Sequence, residues 1–243
     1  MFRPFCARYV LTAALTLGAV SPALTEAATA PDSTLYTTYT VSTDLQSAYY
    51  AVCGSTAQDE GCYSSGSLGP FAHIGSMLEG QPVVSGNTVT RKIYVLDVAS
   101  GTSANGVSLF VYTKTDVVSD SYDQVTVTLD QTIALPLVGG STVTASMAAN
   151  DSYLFVGTNQ STRAVRIAKD QLVVTTIGGF SPPVPVSSIT ADTYGYVTVT
   201  FGAPSDWNSG FYIYGPTGAP QGDGGGSQFS LNSVNGVVPV PLP

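Results

Sequence analysis

SMAAN (Ser146–Asn150) is repeated in modified form 42 residues later as SITAD (Ser188–Asp192), and each stretch leads through a polar turn into a strand-like segment. The segments that follow are LFV (Leu154–Val156) and YVTVTF (Tyr196–Phe201). The same LFV stands at Leu109–Val111, 45 residues before the one at Leu154–Val156. A period of about 40–45 residues fits a unit of four short strands. We therefore predict repeated β units in which the three segments occupy equivalent strands.

Strand signals extend along most of the chain. Each segment has four to eight β-branched and aromatic residues and is bounded by Gly, Asn, Asp or Pro. After the first thirty residues, no stretch sustains the apolar period of a helix. The sequence is thus predicted to be all-β. The predicted strands are 35–41, 91–98, 109–112, 124–129, 153–156, 172–177, 196–201 and 211–214.

In its repeat length the sequence resembles β-propeller repeats over roughly residues 75–215. It lacks the Gly-His and Trp-Asp pair and the double-Gly pattern of the named blade families, so no specific family is indicated. The resemblance implies a β-propeller of about five blades, with a β-sandwich as the alternative.

The chain begins with a pattern typical of a secretory signal. Arg3 and Arg8 precede an apolar run, Tyr9–Val20, and small residues follow. The run is too short for a membrane-spanning helix, which needs about 20 residues. We predict a signal peptide over 1–30, cleaved between 23 and 30, and a secreted or periplasmic location. An all-β domain over 31–221 and a Gly/Pro-rich segment over 222–243 would follow, with no transmembrane segment after cleavage.

Two of the three cysteines lie beyond the signal. Cys6 is removed with it, while Cys53 and Cys62 remain, separated by a loop rich in turn formers. An even number of cysteines in an oxidising compartment predicts a disulfide. The alternative, a thiolate metal site, would need further Cys or His close by, and the single histidine is His73.

Charge is sparse and mostly negative. Asp, Glu, Lys and Arg make up 10% of the chain, against a typical value of about 25%, and acids outnumber bases by 16 to 8. Such a surface offers no attraction for nucleic acid or for an anionic membrane. We therefore expect neither as a partner.

The densest acidic group is Asp116, Asp120 and Asp123. A calcium ion binds several oxygens from one loop, so these residues are weak candidates for a calcium site. Their spacing does not match the EF-hand pattern. The favoured interpretation is a solvated hairpin turn between the strands at 109–115 and 124–129, and no cofactor is predicted.

The single tryptophan lies in the sequence Asp206-Trp207-Asn208. Sugar rings stack on aromatic side chains while carboxylates and amides bond their hydroxyls, so these three residues are the predicted ligand-binding site. The alternative is a tryptophan that caps the edge of the core.

No catalytic residue is nominated. A serine hydrolase would need His73 as its base, and the nearby serines fit no nucleophile motif. The leading hypothesis is a non-catalytic β-repeat module that binds a small molecule, glycan or protein partner, with carbohydrate among the candidate ligands. One alternative is a carbohydrate-active enzyme that uses paired carboxylates. A second is a surface-structural protein.

Overall fold

The computed structural model describes residues 35–54, 62–100, 106–117, 124–178, 183–202 and 209–225, and this part of the chain is all-β. Its strands form four antiparallel sheets, numbered here in chain order. The strands are β1 (Leu35–Val41), β2 (Ala48–Gly54) and β3 (Cys62–Leu68) in sheet 1; β4 (Ile74–Glu79), β5 (Val83–Ser85), β6 (Thr88–Asp97), β7 (Ser108–Val117) and β8 (Gln124–Ala134) in sheet 2; β9 (Ala145–Ala149), β10 (Tyr153–Thr158), β11 (Ala164–Ala168) and β12 (Val174–Ile177) in sheet 3; and β13 (Val186–Ala191), β14 (Val197–Phe201), β15 (Gly210–Tyr214) and β16 (Pro220–Gly225) in sheet 4.

Sheets 1, 3 and 4 are meanders in which every strand pairs with its neighbour in sequence, and in sheet 2 the strand β4 pairs with β6 instead of β5. The short strand β5 forms a hairpin with β6, so the main path of sheet 2 runs β4-β6-β7-β8. The prediction of an all-β chain is confirmed. Within the described residues, no helix is long and apolar enough to cross a membrane.

Both faces of the central sheets are buried. In β6, Ile93 and Val95 pack toward sheet 1, whereas the intervening Tyr94 faces sheet 3. In β10, Leu154 packs toward sheet 2, and the adjacent Phe155, which is fully buried, packs against sheet 4. Alternate residues thus fill two different cores, because successive side chains of a strand point to opposite faces.

The sheets pack in chain order. Three apolar clusters join sheet 1 to sheet 2, sheet 2 to sheet 3 and sheet 3 to sheet 4. The first strands of sheets 2, 3 and 4 are also neighbours in space, since β9 contacts both β4 and β13. Sheets that pack in succession, with their first strands adjacent, are arranged as neighbouring propeller blades rather than as a two-sheet sandwich. The predicted number of about five blades is not confirmed; the described residues form four sheets.

The 42-residue repeat corresponds to a structural repeat in sheets 3 and 4. Ser146–Asn150 and Ser188–Asp192 cover the first strands β9 and β13 with the turn residue that follows each, and the second strands β10 and β14 come next. The predicted equivalence of Leu109–Val111 is wrong, because this segment lies in β7, the third strand of the main path of sheet 2. Sheet 2 contains the extra strand β5 and the ten-residue strand β6. A spacing of 45 residues therefore joins the third strand of its main path to the second strand of sheet 3.

The repeated polar residue has the same role in both sheets. Asn150 Oδ1 accepts hydrogen bonds from the backbone N–H groups of Ser152 and Tyr153. Asp192 Oδ1 accepts from those of Tyr194 and Tyr196. Asn and Asp favour turns because their short side chains bond nearby backbone in this way.

The predicted boundary between 221 and 222 falls inside β16. Residues Gly222–Gly225, which open the predicted Gly/Pro-rich segment, pair with β15. Backbone pairing needs no side chain, so a glycine-rich sequence can still complete a sheet.

Candidate functional site

A groove lies on the outer face of sheet 1, the face turned away from sheet 2. Cross-strand pairing builds this face from two rows, Thr38–Ala51–Ser65 and Thr40–Tyr49–Ser67. The groove has a volume of about 370 Å³, and all its lining residues belong to sheet 1. They are Thr38, Thr40, Tyr49, Tyr50, Ala51, Ser65, Gly66 and Ser67.

The groove is uncharged and rich in hydroxyl groups. Tyr49 is 50% exposed, which is unusual for a large ring on a central strand. The hydroxyl of Thr38 donates to the carbonyl of Ala51 at 3.4 Å, so its lone pairs are left as acceptors. Among the described residues, no Asp, Glu, Lys, Arg or His lines the groove. Such a surface suits a neutral polar ligand and supplies neither a counter-charge nor a general base.

The opposite face of sheet 1 packs against sheet 2. Tyr50 lies over Gly66, where an added Cβ would come within 2.5 Å of the Tyr50 hydroxyl. A larger residue at position 66 would therefore force the Tyr50 ring to move. Tyr39, Ala48 and Leu68 extend the same face into the core shared with sheet 2.

A buried ionic cluster holds β1 against sheet 2. Lys114, only 2% exposed, pairs with Asp116 Oδ2 at 2.9 Å and donates to Thr37 Oγ1 of β1. Arg91 Nη1 donates to the same Asp116 oxygen at 3.0 Å. Arg91 and Lys114 are direct cross-strand partners. Two like charges so placed repel each other, and the Asp116 carboxylate that both bind offsets the repulsion.

Tyr39 and Glu79 complete the cluster. The Tyr39 hydroxyl donates to Glu79 Oε1 at 2.9 Å, and the same oxygen lies 4.0 Å from Arg91 Nε. Burial, followed by the charge of Glu79, raises the pKa of Tyr39 above its usual range. The phenol therefore stays protonated and serves as a donor. With two cations and two carboxylates the cluster is charge-balanced, and we interpret it as the contact that positions β1.

Of the three predicted metal ligands, only Asp116 lies among the described residues. Asp116 lies within β7, rather than in the predicted solvated turn, and its carboxylate is bound by Lys114 and Arg91. Asp120 and Asp123 lie outside the described residues. The connection 118–123 does join the antiparallel strands β7 and β8, as expected of a hairpin. Among the residues that the structure describes, no group of three or more His, Cys, Asp or Glu could hold a metal ion.

The other predicted residues are only partly described. Asp206, Trp207 and Asn208 fall in the undescribed segment 203–208, between β14 and β15. For Cys53 and Cys62 the backbone alone is described, and it places the two residues opposite each other across β2 and β3. A register irregularity lies between Val52 and Cys53. Their side chains are outside the described part, and no disulfide is described in it.

The single histidine lies in the connection between sheets 1 and 2. The backbone N–H of His73 donates to Asp97 Oδ1 at 3.0 Å, and its carbonyl accepts from Val98 at 2.8 Å. No carboxylate–histidine–serine arrangement is described at this position.

Comparisons with known proteins reveal no family. No protein-family model matches the chain, and no curated protein matches it. Among solved structures, the chain is similar to one in the crystal structure of the mitotic checkpoint complex, at 11% identity and a TM-score of 0.30. The similarity covers 79% of this chain and 66% of that chain, slightly less than two thirds of its length. The fold assignment therefore rests on the topology of this chain alone.

The groove residues had not been identified from the sequence. The alternating Thr and Tyr of β1 predict a strand. Both faces of this strand are polar, so the sequence does not indicate which face is exposed. The serine-rich β3 was not predicted at all, because Ser and Gly have weak strand preference. The available signal was the spacing of two residues between Thr38 and Thr40 and between Ser65 and Ser67, which places each pair on one face of a strand.

Proposed function

We propose that the protein is a secreted or periplasmic, non-catalytic β-repeat module that binds a neutral, hydroxylated ligand in the groove of sheet 1. Carbohydrate is the favoured ligand class. The observation that carries this proposal is the exposed ring of Tyr49 among the hydroxyls of Thr40 and Ser67 on an uncharged sheet face.

The chemistry of a sugar fits this surface. One face of a pyranose ring presents C–H groups that pack against an aromatic ring, while its hydroxyls both donate and accept hydrogen bonds. Serine and threonine hydroxyls have the same dual capacity. A charged or phosphorylated ligand would lose hydration at this groove without gaining a counter-ion.

The enzyme alternative gains no support from the groove. A glycosidase needs two carboxylates facing each other across the bond to be cleaved. None of the described residues that line the groove is a carboxylate, and Glu79 and Asp116 bind cations on the opposite side of sheet 1. The surface-structural alternative predicts that no soluble ligand binds, so a binding measurement distinguishes it.

The extracytoplasmic location is proposed on the signal-like start of the chain and on the two cysteines. A disulfide between Cys53 and Cys62 is proposed on the even number of cysteines beyond the signal-like start. Mass spectrometry of the unreduced, alkylated protein tests the bond; an alkylated Cys53 peptide would refute it.

Binding is tested on an array of neutral oligosaccharides, followed by calorimetry with the glycans that bind. Replacing Tyr49 by Ala should weaken binding by about 1–2 kcal/mol, or roughly 5- to 30-fold, because the ring supplies the main apolar contact. Tyr194, 61% exposed in the turn between β13 and β14, provides the matched control. Equal losses for Y49A and Y194A, or hydrolysis of a bound glycan, would contradict the proposal.

A further inference from the structure

The outermost strand of sheet 2, β8, has a long free edge. It ends the path β4-β6-β7-β8 and, among the described residues, pairs only with β7. With 11 residues it is the longest strand in the described part of the chain. The free edge of a strand presents a row of N–H and C=O groups that can pair with another strand.

The features that usually protect such an edge are scarce in β8. Its sequence QVTVTLDQTIA contains no Pro, Gly, Lys or Arg. The other outer strands differ: β12 has only 4 residues, β16 begins at Pro220 and is rich in glycine, and β3 includes Gly66. The single charge of β8, Asp130, lies at the register irregularity with β7, and its carboxylate binds Lys92 Nζ at 2.7 Å. Of these outer strands, β8 is therefore the one best suited to pairing.

The two faces of β8 differ in chemistry. Val127 packs against the core between sheets 1 and 2, so Val125 and Leu129 lie on the same face. Leu129 is 51% exposed, although it is a large apolar side chain. The other face carries Thr126 and Thr128, which are both exposed. A strand that pairs with this edge thus has to continue one apolar row and one hydroxyl row.

The segment Gln124–Asp130 meets this requirement when it pairs with itself. In an antiparallel pair of two copies centred on Val127, apolar residues oppose apolar residues, hydroxyls oppose hydroxyls, and an amide opposes the carboxylate. The opposed residues are Val125 with Leu129, Thr126 with Thr128, and Gln124 with Asp130. Like charges do not meet, and matched pairs of this kind stabilise a sheet.

Neighbouring registers match less well. Centring the pair on Thr128 or on Leu129 would place a valine opposite Gln131. Centring it on Thr126 would place Leu129 opposite Asp123. The register centred on Val127 is therefore favoured over these three.

We infer that the protein forms a symmetric dimer in which β8 pairs antiparallel with β8 of a second copy, centred on Val127. The two four-stranded paths of sheet 2 then become one continuous sheet, and Leu129 is covered. A single pair of strands is a small interface, below about 1,200 Å², so we expect a reversible, concentration-dependent dimer. The groove lies on β1, β2 and β3, so this dimer does not depend on the proposed ligand binding.

Sedimentation velocity of the mature protein over a concentration series tests the dimer. T126K/T128K places a lysine opposite a lysine at both symmetry-related positions, so the dissociation constant should rise at least about tenfold. T126K/T128E instead places opposite charges at the same positions and should restore the dimer. The matched control T175K/T176K adds the same charge to two exposed threonines of β12 and should leave the dimer unchanged.

Several outcomes would overturn the proposal. One is a wild-type protein that sediments as a monomer throughout the series, even if its β8 amides are protected from hydrogen exchange, which would assign the edge to another segment of the same chain. Another is a T126K/T128E variant as dissociated as T126K/T128K, since this excludes the register. A dimer that tolerates T126K/T128K, or that T175K/T176K weakens equally, would assign the contact to another surface. Hydrogen-exchange protection of β14 shows that each variant is folded.

Discussion

Ser146 and Ile189 exchange two hydrogen bonds between the first strands of neighbouring sheets. The hydroxyl of Ser146 donates to the carbonyl of Ile189 at 3.2 Å and accepts from its N–H at 2.8 Å. A side chain of β9 therefore satisfies both backbone groups of a residue in β13. Strands that belong to different sheets are linked here without a continuous backbone ladder.

Replacing Ser146 by Ala should destabilise the protein by about 1–3 kcal/mol, because it leaves a donor and an acceptor of Ile189 without their partner. The free energy of unfolding from urea denaturation measures the effect. The exposed Ser141, in the turn before β9, provides a control that should change stability by less than about 0.5 kcal/mol. Equal stability of S146A and S141A would contradict the role assigned to Ser146.

Replacing Asn150 by Asp should destabilise the protein, whereas replacing Asp192 by Asn should not. Asn150 Nδ2 donates to the carbonyls of Gly195 and Gly215, so N150D places a negative charge against two acceptors. We expect a loss of about 2–4 kcal/mol. Asp192 Oδ2 is buried without a partner in the described residues, so D192N should be neutral or slightly stabilising. Thermal denaturation of both variants checks this. A D192N variant that loses more stability than N150D would contradict the prediction.

The buried cation of the cluster should matter far more than an exposed one. Replacing Lys114 by Met removes one of the two cations at Asp116 and should cost about 3–5 kcal/mol. Lys92 pairs with Asp130 at 2.7 Å, but its side chain is 49% exposed. The control K92M should therefore cost less than about 1 kcal/mol. Chemical denaturation compares them, and similar losses would mean that Lys114 is effectively solvated.

Stability should fall in alkaline solution. Burial and Glu79 raise the pKa of Tyr39 in the folded state. Below about pH 10 tyrosine is protonated in both states; above it the unfolded chain loses a proton that the folded chain retains, so the free energy of unfolding decreases. One such tyrosine contributes up to about 1.4 kcal/mol per pH unit.

The variant Y39F isolates this contribution. Urea midpoints at pH 9, 10 and 11 should decline less steeply for Y39F than for the wild type. Burial also raises the pKa values of Tyr94, Tyr112 and Tyr214. The stability of Y39F should therefore still decrease somewhat as the pH rises. Identical pH profiles for the two proteins would contradict the buried donor role of Tyr39.

Strand prediction succeeded where the side chains themselves favour extended backbone. Segments such as Leu35–Val41 and Tyr196–Phe201 are dense in Thr, Val and Tyr, and both correspond to strands, β1 and β14. Eight of the sixteen described strands were not predicted, namely β2, β3, β4, β5, β9, β11, β13 and β16. Small and polar strands such as β3, β9 and β16 are extended through pairing with neighbours rather than through their own preference.

The all-β class and the repeat in sheets 3 and 4 could be predicted from the sequence. Both follow from local properties: side-chain branching, turn residues, and an Asn or Asp that bonds its own backbone. The exposed face of β1 and the burial of Lys114 and Asp116 became evident only from the packing of the folded chain. The reason is that β1 carries Thr or Tyr on both faces, so its sequence lacks the alternation of polar and apolar residues that would mark an outer face. Burial of a charge depends on partners such as Arg91, which is brought opposite Lys114 only by the register of β6 with β7.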